Sequence, residues 1–281
     1  MTSLDELDRE LAARYGAYAS YYDSPAAPAH VEYYGETPPH LEVDRLLGVY
    51  ARPESRALDI GCGAGFSTCR VAATVRDAWG IDQDPRLLAA ASRRAEEACL
   101  ANVTFVEGSV TVAEDVARLP EGYFDLAWSQ RGPNLNEALM RALTPYGVFV
   151  QELVSDFNAY PLKEIFGRRA FAPYHFHDAV VLQHRYAELG LLPVSIKEYF
   201  YDEFYRDAAH LETALRHGGY LTEWRIPTPG AYRGDRDRAA LDLFARYNTT
   251  PRGIRVTRQR TVFVFRRAVL NYYPADGYPG P

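Results

Sequence analysis

Lysine is nearly absent from this chain: Lys163 and Lys197 are the two in 281 residues, so arginine carries almost all the positive charge. Coding-sequence base composition is enough to explain that bias. Cysteine is as scarce, with Cys62, Cys69 and Cys99 the three present. They are too few for a disulfide framework and lack the paired spacing of a zinc site, so reduced, packed thiols and no bound metal are expected. No apolar run approaches the roughly 18 residues that would span a bilayer. The opening Met1-Thr2-Ser3-Leu4-Asp5-Glu6 lacks the basic and apolar regions of a signal peptide, so a cytoplasmic location with no membrane partner is expected. A net charge of −6 excludes broad electrostatic attraction to nucleic acid or anionic lipid, though not a local basic patch.

Hydrophobic residues at 47% and charged residues at 24% are ordinary for a globular chain. The length allows two average domains or one α/β domain with insertions. The most informative stretch is Arg56-Ala57-Leu58-Asp59-Ile60-Gly61-Cys62-Gly63-Ala64-Gly65-Phe66-Ser67-Thr68. Its short apolar run without alternation reads as a parallel strand buried on both faces. Gly61 permits a sharp turn, Gly63 close approach of a ligand to the backbone, and Gly65 a helix starting close to the strand. The amides and dipole at that helix start favour an anionic group. A second strand, Ala78 to Ile81, ends in Asp82, 17 residues beyond Gly65. That is close to the roughly 20-residue distance at which nucleoside-binding folds place an acid for the ribose hydroxyls. A dinucleotide G-x-G-x-x-G fingerprint would need glycine where Phe66 stands, and Asp59 would repel a pyrophosphate while welcoming a cation.

Asp59, Gly61, Gly63 and Gly65, spaced Asp-x-Gly-x-Gly-x-Gly, resemble the loop of the class I (Rossmann-like) S-adenosylmethionine-dependent methyltransferases. The resemblance implies S-adenosylmethionine as cofactor, its methionine part on the loop. The implied cofactor contacts are Asp59, Gly61, Gly63, Gly65, Asp82, Gln83, Ser109, Val110, Ser129 and Tyr22. Ser109 stands where the family usually has aspartate. Leu143-Thr144-Pro145-Tyr146-Gly147 resembles the family's Leu-x-Pro-Gly-Gly turn, with Tyr146 in place of the first glycine. The implied fold is a doubly wound α/β domain with a seven-stranded, mostly parallel sheet and an antiparallel last strand. An N-terminal helical lid and loop would occupy 1–40 and the methyltransferase domain 41–270, with insertions at about 155–190 and 207–253. Residues 271–281 would be a flexible tail.

The substrate regions are less marked. Tyr15, Tyr18 and Tyr22 lie on a helical stretch that either packs as an amphipathic face or covers the sulfonium by cation–aromatic attraction. The loop Ser129 to Asn134 lacks the Asn/Asp-Pro-Pro-aromatic motif of enzymes that methylate nucleobase amino groups. It also lacks the aspartate of magnesium-dependent catechol-type enzymes. The aromatic stretch Ser155 to Asp178 is the leading substrate region. Within it His175 or His177 suits a general base near neutral pH, or else both cap the following helix. Arg252, Arg255, Arg258, Arg260, Arg266 and Arg267 form the one basic cluster, either a solvated strand edge or an RNA surface. A small-molecule methyl acceptor is the preferred substrate. An RNA methyltransferase and a non-catalytic protein that senses S-adenosylmethionine or S-adenosylhomocysteine are the alternatives.

Overall fold

The computed structural model describes residues 29–35, 37–155, 157–167, 178–217 and 232–268. Tyr18, Tyr22, His175 and His177 lie outside them, as does the 271–281 tail.

Among the described residues one sheet holds nine strands: β1 (His30–Tyr33), β2 (Arg56–Ile60), β3 (Asp77–Asp82), β4 (Val103–Glu107), β5 (Phe124–Gln130), β6 (Leu143–Val154), β7 (Leu191–Tyr205), β8 (Thr249–Thr250) and β9 (Gly253–Arg267). Their order is β1-β7-β9-β6-β5-β2-β3-β4, with β8 paired to β9. The block β4-β3-β2-β5-β6 is parallel. β9 runs antiparallel between β6 and β7, and β1 runs antiparallel along β7. The chain leaves β2 towards β3 on one side and reaches β5 on the other, so the topological switch lies between β2 and β5.

Helices α1 (Pro39–Tyr50) and α2 (Phe66–Ala72) cover one face, where Val43, Leu47 and Val71 pack on Ala57, Val150 and Val264. On the other face α4 (Ala113–Val116), α5 (Glu137–Ala142) and α7 (Asp178–Glu188) bury Leu58, Ile60, Phe149 and Phe265. Leu58 and Ala57 thus face opposite cores, which is why β2 shows no alternation. α3 (Pro85–Glu97) runs from β3 to β4, and the carboxylate of Asp84 accepts the Arg86 amide at 3.0 Å as its N-cap, ahead of Pro85. Asp84→Ala is expected to cost about 1 kcal/mol, read as a melting temperature lower by a few degrees with an unchanged circular-dichroism spectrum.

A third apolar cluster joins α6 (Tyr160–Ile165), α8 (Ala208–His217) and α9 (Gly234–Asn248) to Tyr205, Ile254 and Val256. It stands where β7 and β9 run on past the parallel block, so residues of both expected insertions share one small core.

Three expectations need correction. The sheet has nine strands rather than seven, and it carries as many antiparallel ladders as parallel ones. The extra strands have simple causes: β8 is a short hairpin extension of β9, and β1 covers an edge of β7 that would otherwise expose unpaired backbone. The region expected as helical lid and loop over 1–40 therefore contains β1. Third, β9 spans Gly253–Arg267 and takes in every arginine of the expected basic cluster except Arg252. Its early half alternates charge with apolar residues, the pattern behind the expectation of a solvated edge or an RNA surface. Instead β9 is an interior strand, and Arg258 and Arg260 are 1% and 2% exposed. The arginines do not form one basic surface.

Candidate functional site

The glycine loop sits at the carboxyl edge of the switch. The amides of Gly61 and Cys62 both donate to the carbonyl of Ile81, at 2.9 and 3.1 Å, which binds the loop to β3. A methyl on Gly61 would lie 2.6 Å from Cδ of Pro133, so this loop and the one after β5 touch across the switch. Gly63 and Gly65 have φ of +53° and +76°, a region that favours glycine. They differ in surroundings. A methyl at Gly65 would meet Cβ of Ala91 at 2.7 Å and Cζ of Phe105 at 3.1 Å, whereas one at Gly63 would meet nothing within 4 Å. Gly65 thus serves close packing of α2 on α3, and Gly63 presents bare backbone to an open side.

The carboxylate of Asp82 lies over that backbone. Its Oδ2 accepts the Gly63 amide at 2.9 Å and its Oδ1 the Asp84 amide at 2.9 Å. Each oxygen keeps lone-pair capacity for a further donor such as a ribose hydroxyl. Arg94 braces the loop from α3: its guanidinium lies 3.3 Å from the centre of the Phe66 ring and donates to the Ala64 carbonyl. Ser67, in the first turn of α2, has a buried hydroxyl with no hydrogen-bond partner.

Asp59 sits deeper than its position in the motif suggested. It is 3% exposed, and its Oδ2 accepts the Thr68 hydroxyl at 2.7 Å, tying β2 to α2. Burial pushes its carboxyl up to about 7, with the nearby Asp82 charge adding to the rise and the Thr68 hydroxyl opposing it. A carboxyl raised on folding contributes stability that is fully present below its unfolded pKa near 4 and is lost as pH rises through about 7. Asp59→Asn, which keeps an acceptor for Thr68, is expected to flatten the decline in melting temperature of the ligand-free protein between about pH 4 and 7. Parallel melting profiles for the two proteins would show that Asp59 does not titrate in that window.

The remaining expected cofactor residues are placed as follows. Gln83 is exposed beside Asp82. The Ser109 amide donates to Asp115 at 2.8 Å, and its hydroxyl pairs with that of Thr111. Val110 is buried, and its carbonyl accepts from Asn136 at 2.7 Å. Ser129 donates its hydroxyl to the Pro133 carbonyl at 2.8 Å and shapes the loop that meets Gly61.

Sequence reasoning passed over a polar group beside this site. Glu152 stands on the same carboxyl edge, paired in register with Gln130. Arg131, with φ of +55°, donates its amide to the Glu152 carbonyl at 2.9 Å, and its guanidinium lies 3.9 Å from the Glu152 carboxylate. Arg260 approaches the same carboxylate at 3.5 Å and donates to Asn158 at 2.7 Å. The available signal was a Gln-Glu pair, Gln151-Glu152, set between the apolar residues Val148–Val150 and Leu153–Val154 of one strand. Among the described residues no group of three or more His, Cys, Asp or Glu could hold a metal ion. Nor, among them, is any helix long and apolar enough to cross a membrane.

Comparison with known proteins agrees with this geometry. The family model described as "Methyltransferase domain" matches residues 57–147, the span from β2 into β6. A curated protein-L-isoaspartate O-methyltransferase of Saccharophagus degradans is 32% identical over 113 residues, covering 40% of this chain and 48% of that one. The match therefore spans about half the length of that relative. A functionally unknown protein from Deinococcus radiodurans R1 superposes with a TM-score of 0.55 at 19% identity, over 86% of this chain and 92% of the other. The cyclase SpnF superposes with a TM-score of 0.53 at 17% identity, over 95% and 97%. At those identities the two structures show a shared fold alone. The open backbone at Gly63, the carboxylate of Asp82 above it and the unpartnered Ser67 hydroxyl fit an adenosyl amino acid, with donors and acceptors for both its ribose and its methionine ends. Residues 57–147 are a class I methyltransferase domain, of the kind that uses S-adenosylmethionine as its cofactor.

Proposed function

We propose that the whole protein is an S-adenosylmethionine-dependent methyltransferase acting on oxygen, nitrogen or carbon of a small-molecule acceptor. The observation that carries this reading is the glycine loop at the switch point, open at Gly63 and overhung by Asp82. S-adenosylmethionine supplies a methyl group on a sulfonium whose sulfur leaves as a neutral thioether, taking the bond pair as the new bond to the acceptor forms. The chain's own work is then positional. Asp82 fixes the ribose end, and the Gly61–Pro133 contact sets the glycine loop against the loop after β5. The adjoining carboxyl edge holds the acceptor in line, and such alignment can supply roughly 7–11 kcal/mol of acceleration. The cluster containing α8 and α9, beyond the end of the parallel block, is the proposed lid.

A small acceptor is preferred to RNA because the arginines of the basic cluster are divided between buried positions, Arg258 and Arg260, and exposed ones on β9 and just before it. The test is production of S-adenosylhomocysteine with small hydroxyl and amino acceptors, a structured RNA and an isoaspartyl peptide, the last suggested by the curated relative. Turnover with small acceptors is expected. Turnover confined to RNA or the peptide would overturn the acceptor class. Tight cofactor binding with no turnover on any class would favour the sensor reading, for which the fold shared with a cyclase gives room.

A further inference from the structure

On the face covered by α1, the apolar stripes of the adjacent strands β6 and β9 are interrupted by buried charge at staggered levels, and β7 adds a third buried charge beside them. On β6 the series is Val148, Val150 and then Glu152, and on β9 it is Val264 and Val262, then Arg260 and Arg258, then Val256 and Ile254. On β7 Glu203 pairs with Arg258 at 3.6 Å. Glu152, Glu203, Arg258 and Arg260 are all at most 3% exposed. Buried ion pairs of this kind are commonly no more stabilising than apolar side chains of similar volume, so stability alone is a weak reason for them. One carboxylate oxygen of Glu152, Oε2, is buried with no hydrogen-bond partner. A buried anion left so is costly unless a donor arrives.

The location bears on what that donor is. Glu152 is level with Gln130 at the end of β5, and β5 in turn lies beside β2 and Gly61. Two strand spacings, roughly 10 Å, separate Glu152 from the glycine loop. Arg131 fills the interval, held in a left-handed conformation between the loop that touches Gly61 and the Glu152 backbone. A non-glycine residue in that conformation is a form of strain that collects at functional sites. Ligands of open α/β sheets bind along this same carboxyl edge.

We propose that Glu152, set between Arg131 and Arg260 with Asn158 behind them, anchors the methyl acceptor by accepting a hydrogen bond from its hydroxyl or amino group. The inference rests on the methyltransferase reading and deepens it: the acceptor is a hydrogen-bond donor rather than a carboxylate or phosphate. Oε2, which accepts no hydrogen bond within the chain, takes the acceptor's donor, and the flanking guanidiniums, with Arg131 Nε 3.9 Å from that same oxygen, hold the carboxylate in place.

The test uses the full chain saturated with S-adenosylhomocysteine, whose own binding is measured first by calorimetry. Phenol, catechol and benzyl alcohol are then titrated as donor probes by ligand-detected NMR, with anisole as the methyl-capped control and benzoate as the anionic one. The donor probes are expected to bind and anisole and benzoate not to. Glu152→Gln is expected to weaken the donor probes at least about tenfold, the scale of one lost charge-assisted hydrogen bond, while S-adenosylhomocysteine affinity changes less than about twofold. Asn158→Ala, which removes one acceptor of Arg260, leaving it the Gln259 carbonyl and the Glu152 carboxylate, is expected to weaken the same probes about threefold or more. That variant decides the matter if Glu152→Gln does not fold. Binding of S-adenosylhomocysteine without any donor probe, a preference for benzoate, or probe affinities indifferent to the folded variants would each overturn the proposal and mark the cluster as structural only. Absence of S-adenosylhomocysteine binding would overturn the methyltransferase reading, and this proposal with it.

Discussion

Asp82→Ala is expected to weaken binding of both S-adenosylmethionine and S-adenosylhomocysteine by roughly 100- to 10,000-fold. A ribose diol offers two hydroxyls to the carboxylate, and each charge-assisted hydrogen bond is worth about 1.5–3 kcal/mol. Two amount to about 3–6 kcal/mol, and each 1.4 kcal/mol is about tenfold in affinity. The same carboxylate accepts the Gly63 and Asp84 amides, so the substitution also releases the loop that receives the methionine end. Asp82→Asn separates the two effects. Its amide keeps one acceptor oxygen but places a donor against an amide or a hydroxyl, so its loss should fall between wild type and alanine. Calorimetric dissociation constants check the series, and a loss below about tenfold in Asp82→Ala would remove Asp82 from the ribose site.

Substituting the two glycines should damage the protein in opposite ways. In Gly65→Ala the methyl arrives 2.7 Å from Cβ of Ala91 and 3.1 Å from its Cα, so the α3 backbone has to move. Overpacking of that kind costs about 1–3 kcal/mol and a left-handed alanine a further 1–2 kcal/mol or so. At about 2–4 °C per kcal/mol for a domain of this size, the melting temperature should fall by roughly 10 °C. Gly63→Ala carries a similar backbone cost but meets no neighbour within 4 Å, so its melting temperature should fall by only a few degrees. Its adenosyl affinity should nevertheless drop by more than about tenfold, because the methyl occupies the side left open for the ligand. Thermal melts and titrations of the two variants check the pairing. Equal stability loss, or unchanged affinity in Gly63→Ala, would contradict the roles assigned to them.

The parts of the fold legible in the sequence are those whose cause is local. The strand into Gly61 and the acid ending the next strand at Asp82 follow from backbone conformation and spacing over a few residues, and both strands stand where expected. The failures have a different origin. β1 was hidden because His30–Tyr33 gains its reason only from the edge of β7, some 170 residues later in the chain. The first half of β9 is not legible locally, because charge normally marks an exposed strand, whereas Arg258 and Arg260 are paired across strands to Glu203 and Glu152. The place of Asp59 follows the same pattern. Its motif position was legible, but its burial under Thr68 and the resulting rise of its carboxyl were not.

The central claim, that the glycine loop and Asp82 form an adenosyl amino acid site, is tested most directly by calorimetric titration of the wild-type protein with S-adenosylhomocysteine and NAD side by side. Saturable binding of S-adenosylhomocysteine near one molecule per chain, with no binding of NAD, is the predicted result. Binding of NAD in its place, or of neither ligand, would contradict the account.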